Sequence, residues 1–299
     1  MTILKRGLTA SMEDFYSQFT REKQYLQNVT PATVDGYQWA WKAFEPVLVG
    51  RASVTKADIA SQVAELHGRG LSPVTINTCL RSINTFFRWI HEEGHSDVPQ
   101  RIPRLKEAEK VCEQFSDEHV RRIGRFAPKT PAERRIHTLA CLILDTGLRI
   151  DEVLSAERTD VDLDNLLFKV SHGKGSKERV VPFSLPLRKL LFRYLKQHKP
   201  QHGDLLFFAG VGQKINQRNA LRAFKGLCKR LRITEVRCSF HTLRHTFATA
   251  YLRNGGDPFR LQRILGHTKL EMTRRYVNLQ TEDLQAVHHQ CSVLVKVGQ

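Results

Sequence analysis

Long apolar runs are missing from this chain. None approaches the ~18 residues of a membrane span, and the opening MTILKRGLTASMED has too short an apolar core for a signal peptide. Both absences lead to the expectation of a cytoplasmic protein without membrane contact. Cysteine is scarce, with six residues at positions 79, 112, 141, 228, 238 and 291. Since there is no C-x-x-C pair and no His/Cys cluster at zinc spacing, neither a disulfide framework nor a structural metal site is expected, and the thiols read as reduced. Internal repeats and low-complexity segments are also lacking. Acidic residues run short in one region only. Residues 1–105 carry 12 Lys/Arg against 10 Asp/Glu, net +2, whereas residues 106–299 carry 35 against 20, net +15 of the total +17. A polyanion is the natural partner of such a surface, because neutralising backbone phosphates releases counterions.

The 299 residues suggest two domains at about 150 residues each. Residues 1–100 read as helices with clear start signals: Ser11 with Asp14, Thr30-Pro31, Thr55 with Asp58, and Ser72-Pro73. The last of these opens a stripe of Ile76, Leu80, Ile83, Phe87 and Ile90, with Arg81 and Arg88 off it, and Gly94 ends it. Residues 101–114 lose periodicity and carry charge and Pro103, which predicts an exposed linker. From 115 to 299 the pattern is mixed. Ser116 is a candidate N-cap, IHTLACLILDTG a buried helix closed by Gly147, and NLLFKVS with RVVPF a β-hairpin around HGKGSKE. Gly266 closes a helix begun at Asp257-Pro258, and Thr268 with Glu271 suggests a capping box beyond it. The expected fold is mainly α with a small antiparallel β-sheet, in two domains.

Six polar positions suit one chemistry together. Attack of an oxygen nucleophile on a phosphodiester adds charge to the non-bridging oxygens, and guanidinium forks stabilise it, which assigns Arg149 and Arg244. A phenol of ordinary pKa about 10 needs a proton acceptor or cationic help, which assigns Tyr276 as nucleophile with His241 or His267 beside it. The leaving 5′ oxygen needs a proton, and Lys174 at the hairpin tip is the candidate donor. No step demands a metal or cofactor. HTLRH lacks the glutamate of a zinc-protease helix, and HGKGSKER does not satisfy the phosphate-binding loop pattern.

Four segments, TGLRIDEVL, HGKGSKERVVP, HTLRHTFAT and LGHTKLEMTRRY, resemble the motifs of the tyrosine recombinases, or phage integrases, the group that includes the Xer-type enzymes. They stand in family order with family-like spacing over residues 115 to about 280. The resemblance implies Arg149, Lys174, His241, Arg244 and His267 as the activating set and Tyr276 as the nucleophile of a covalent 3′-phosphotyrosyl intermediate, with no cofactor. It implies a SAM-like helical core DNA-binding domain before the catalytic domain, a specific site on double-stranded DNA, and a tetrameric synapse docked through a C-terminal segment. An accessory DNA-bending protein or a partner recombinase would be compatible with it. Glu152 keeps the family's acidic position and would orient an active-site arginine; Asp151 stands where a small serine is usual. Arg81, Arg88, Lys177 and Arg179 are candidate DNA contacts. A non-catalytic DNA-binding relative would have lost one of the six positions, and none is lost. A type IB topoisomerase would use the same attack for relaxation, but the paired helical domain and short tail favour recombination.

Overall fold

The computed structural model describes residues 11–51, 54–97, 99–107, 113–171, 178–197, 204–210, 212–274 and 276. Lys174, Lys177 and the expected docking segment lie outside the described residues. The chain divides into two compact units, Met1–Lys110 and Val111–Gln299.

The described residues of the first unit form four helices, α1 (Met12–Tyr25), α2 (Pro31–Leu48), α3 (Lys56–Gly68) and α4 (Pro73–Glu92). Ser11 and Thr55 accept from the N–H groups of Asp14 and Asp58, whose carboxylates reach back to the cap N–H, so α1 and α3 open on reciprocal caps. Thr30 precedes α2 without capping its backbone and instead pairs its hydroxyl with that of Thr33 at 2.9 Å. The α4 stripe is buried as its spacing predicts, and Phe19, Phe44, Phe86 and Leu48 pack around it. Arg81 and Arg88, seven residues apart, are exposed.

Within the segment expected as an exposed linker from residue 101, two residues are pinned to α4, and the others described are exposed. The Asn84 amide donates to the Ile102 carbonyl at 2.9 Å and accepts from its N–H at 2.7 Å. Asn77 treats Leu105 the same way, at 2.9 and 2.8 Å. Two carboxamides seven residues apart on one helix thus imitate the edge of a strand, and Ile102 is buried beneath them. Nothing periodic in the segment signals this, because the pairing groups lie on α4. Asn84→Ala leaves the Ile102 peptide unpaired in a half-buried place, so a loss of about 1–3 kcal/mol is expected. Chemical denaturation of the wild type and the variant measures it, and an unchanged midpoint would contradict it.

In the second unit α5 (Asp117–Gly124) follows the cap Ser116, and α6 (Pro131–Thr146) opens on a Thr130–Glu133 capping box. Next come α7 (Ile150–Ser155), the antiparallel sheet β1 (Val161–Asp162), β2 (Leu167–Val170), β3 (Arg179–Pro182), and α8 (Leu185–Leu195). A second pair, β4 (Phe208–Ala209) and β5 (Gln213–Lys214), leads to α9 (Gln217–Arg230), α10 (Phe240–Arg253), α11 (Pro258–Leu265) and α12 (Glu271–Arg274). The fully buried face of α6, with Leu139, Ala140, Leu142 and Ile143, packs against α8, α9 and α10. Strands β2 and β3 pair as the sequence predicts, with Phe168 opposite Val181 and both buried. The two-residue strands β1, β4 and β5 have no signal in the sequence, since they are too short to carry a period. Thr268 and Glu271 do not form the expected capping box; α12 is a single turn entered through Met272 and Thr273 N–H bonds to Lys269 and Leu270.

Candidate active site

Two helices end on left-handed glycines, and the site is built between those ends. Gly147 closes α6 at φ 65° and Gly266 closes α11 at φ 64°. Side chains are excluded from Gly147 for a second reason, since a Cβ there would lie 2.3 Å from the Phe247 ring. A helix C-terminus leaves carbonyls without intrahelical partners and carries negative partial charge. Here arginines take them. Arg179 Nε donates to the Ile264 carbonyl at 2.9 Å, Arg244 Nη2 to Leu265 at 2.9 Å, and Arg149 Nη2 to Gly266 at 3.2 Å. Arg244 Nη1 also donates to the carbonyl of Gly147 at 2.6 Å and so joins the two ends.

One carboxylate sits among these three guanidiniums. Glu152, in the first turn of α7, accepts from the Arg149 backbone N–H at 2.8 Å and from Arg149 Nη1 at 2.9 Å. Arg179 grips it from the other side with two bonds of 2.9 and 2.8 Å. The Glu152 side chain is 4% exposed and that of Arg179 is 11% exposed, against 37% for Arg149. Burial works to raise the Glu152 pKa, but the bonds from Arg179 and Arg149 outweigh it, and the carboxyl lies below its ordinary value. A lowered folded pKa contributes stability above the unfolded value, about 4.3, and loses it as pH falls through the folded value. Glu152→Gln is therefore expected to be less stable than wild type at neutral pH, with the gap shrinking below about pH 4.3. Denaturant midpoints followed from neutral to acid pH test this, and a constant gap would refute it.

Arg244 is 4% exposed, and burial first, then the neighbouring Arg149 charge, brings its pKa down to about 10. It stays a cation at neutral pH. Its Nη2 also lies 3.1 Å from His267 Nε2. Since a guanidinium only donates, Nε2 is the accepting nitrogen, and Nδ1 faces Thr273 Oγ1 at 2.9 Å. Thr273 is fully buried, and its carbonyl receives the Tyr276 N–H at 3.0 Å. Tyr276 is 6% exposed and packs with Ala248, Leu261 and Leu265. Its ring centroid lies 6.3 Å from that of His267, nearly parallel, and 4.8 Å from that of His245.

Five of the sequence candidates, Arg149, Glu152, Arg244, His267 and Tyr276, thus meet in one protomer. His241 stands exposed in the first turn of α10. His245, one helical turn on, packs against Tyr276 and is not among the candidates drawn from the sequence. Its sequence signal is the HTLRH spacing, which sets it one turn from His241 on the same helix. Among the described residues no cluster of His, Cys, Asp or Glu suits a metal, and no helix is long and apolar enough to cross a membrane. Arg179 requires a correction: expected as a DNA contact, it is turned inward and committed to Glu152 and Ile264.

The model of the Phage integrase family matches residues 113–283, more than half of the chain. The chain belongs to the phage integrase family. It is 26% identical over 297 residues to the tyrosine recombinase XerD of Listeria monocytogenes, covering 96% of this chain and 94% of that one. With the tyrosine recombinase XerA of Thermococcus kodakarensis it shares 29% over 237 residues, 79% of this chain and 81% of that one. Among solved structures, the Tn1549 transposon integrase in complex with a circular intermediate DNA is similar in fold. The TM-score is 0.78 at 20% identity, over 94% of this chain and 100% of that chain. This phage integrase is a Xer-like tyrosine recombinase, an enzyme of site-specific DNA recombination.

Proposed function

We propose that the Tyr276 oxygen attacks a phosphorus of one DNA strand, that the bond from phosphorus to the 5′ oxygen breaks, and that the enzyme is left joined to the 3′ end. The guanidiniums of Arg149 and Arg244 hold the charge gathering on the non-bridging oxygens. The phenolic proton leaves to the imidazole of His245, whose ring is the nearer of the two packed on the phenol. His267, whose Nε2 accepts from Arg244, holds that guanidinium in place. Lys174 supplies the proton that the departing 5′ oxygen takes up, and His241 serves the phosphate as the family resemblance implies. A 5′ hydroxyl from a second duplex then reverses the steps. One ester bond is exchanged for another, so no nucleotide hydrolysis is required.

A single observation carries the reading: Tyr276 packs on His245 and His267, and the latter is hydrogen-bonded to an arginine on the same helix terminus as Arg149. Double-stranded DNA carrying a specific site is the substrate, with Arg81 and Arg88 of the helical unit and Lys177 of the HGKGSKE sequence among the phosphate contacts. The working assembly is a tetramer on two duplexes in the cytoplasm, serving a mobile element or dimer resolution. Incubation with a nicked duplex that traps the cut strand tests the chemistry. A protein–DNA adduct that survives denaturation and forms equally well in EDTA is expected. No adduct on any duplex that the protein binds specifically would overturn the reading.

A further inference from the structure

We propose that Arg179, on β3, is a positioning residue of the active site: it holds Glu152, and through Glu152 the guanidinium of Arg149, in the place where the phosphate is met.

The wiring is continuous. Arg179 spends both terminal nitrogens on the two oxygens of Glu152 and its Nε on the Ile264 carbonyl. A planar fork bonded along two edges has one orientation left. Glu152 in turn receives the backbone and side chain of Arg149. Arg149, the most exposed of the three, therefore depends on a carboxylate whose rotamer Arg179 fixes. The floor under Arg179 is equally specific. A Cβ at Gly266 would lie 3.0 Å from the guanidinium carbon, so the glycine that ends α11 also leaves the space in which Arg179 lies flat.

Charge makes the arrangement more than a strut. Three guanidiniums around one carboxylate repel one another, and Arg244 registers both Arg149 and Arg179 as unfavourable neighbours. Glu152 offsets this only while it is ionised. Taking Arg179 away leaves a buried carboxylate with half its donors, which favours protonation and releases Arg149. A guanidinium displaced by about 1 Å costs roughly 10²-fold in rate. Arg179 itself is too enclosed to be the group that touches DNA.

The inference rests on the Tyr276 chemistry proposed above, so adduct formation by the wild type is the control: if that fails, the chemistry is at fault and not Arg179. The rate of adduct formation is compared for wild type, Arg179→Gln, Arg179→Lys, Glu152→Gln and the double variant Arg179→Gln/Glu152→Gln, with DNA affinity measured alongside. Arg179→Gln is expected to slow the step roughly 10²-fold with affinity for the duplex unchanged. Its rate relative to wild type falls further as pH is lowered, whereas the rate of the double variant relative to wild type does not. The double variant is no slower than the slower single variant, because both act on one contact. Arg179→Lys, which keeps the charge without the fork, guards against misfolding of the Gln variant and is also expected to be slow. A substrate whose scissile phosphate carries a neutral methyl in place of one non-bridging oxygen narrows the gap between Arg179→Lys and wild type, which a purely structural lesion would not do. A wild-type rate in Arg179→Lys, multiplicative losses in the double variant, or a gap unaffected by the neutral phosphonate would each overturn the proposal.

Discussion

Tyr276→Phe is expected to bind duplex DNA like the wild type and to form no covalent adduct. The substitution removes one oxygen and leaves the ring, which packs with Ala248, Leu261 and Leu265 and keeps its ring contacts with His245 and His267. Stability should therefore move by less than about 1.5 kcal/mol. Chemistry should fall below detection, since no other oxygen occupies that position and without a nucleophile the covalent route is closed. The measurement is the denaturation-resistant band on the trapping duplex, read beside a gel-shift titration. A band that persists assigns the bond to another residue. Loss of band and binding together would place Tyr276 in the fold rather than in the reaction.

Arg244 carries the second large effect, in two currents that separate experimentally. Its side chain satisfies the Gly147 and Leu265 carbonyls and the His267 imidazole. Arg244→Ala strands those acceptors in a buried place, a cost of about 1–3 kcal/mol for each group left unpaired. It also removes one donor from the phosphate, worth roughly 10²–10³-fold in the chemical step. Arg244→Lys keeps the charge but reaches only some of the acceptors, so most of the stability returns while the rate stays low. Thermal unfolding and single-turnover cleavage of both variants settle it. A lysine variant that cleaves at the wild-type rate would show that charge alone suffices and that the planar fork is dispensable.

Much of the site could be read in advance because its signals are local. Gly147 and Gly266 announce helix ends by conformational freedom, and the residues beside them, Arg149 and His267, inherit their placement from those ends. The α4 stripe and the caps at Ser11, Thr55 and Ser116 are equally local, each fixed by partners within a turn. What escaped depends on partners far along the chain. Arg179 looks like any arginine after a basic turn until the register of β3 brings it to Glu152, 27 residues earlier, and to Ile264, 85 residues later. Asn77 and Asn84 look like helix-surface amides until residues 102–105 return over them. His245 matters through a tyrosine 31 residues on. Sequence periodicity describes the face a residue presents and is silent about which distant segment meets it.

The last turn of α11 carries a vulnerability of its own. Its three successive carbonyls each hold one arginine from a different part of the chain, so these cations share a foundation. Point changes on the outer side of that helix should be absorbed singly. One inserted residue, rotating the terminal turn by about 100°, would dislodge all three charges at once, and this stretch should vary in side chains long before it varies in length.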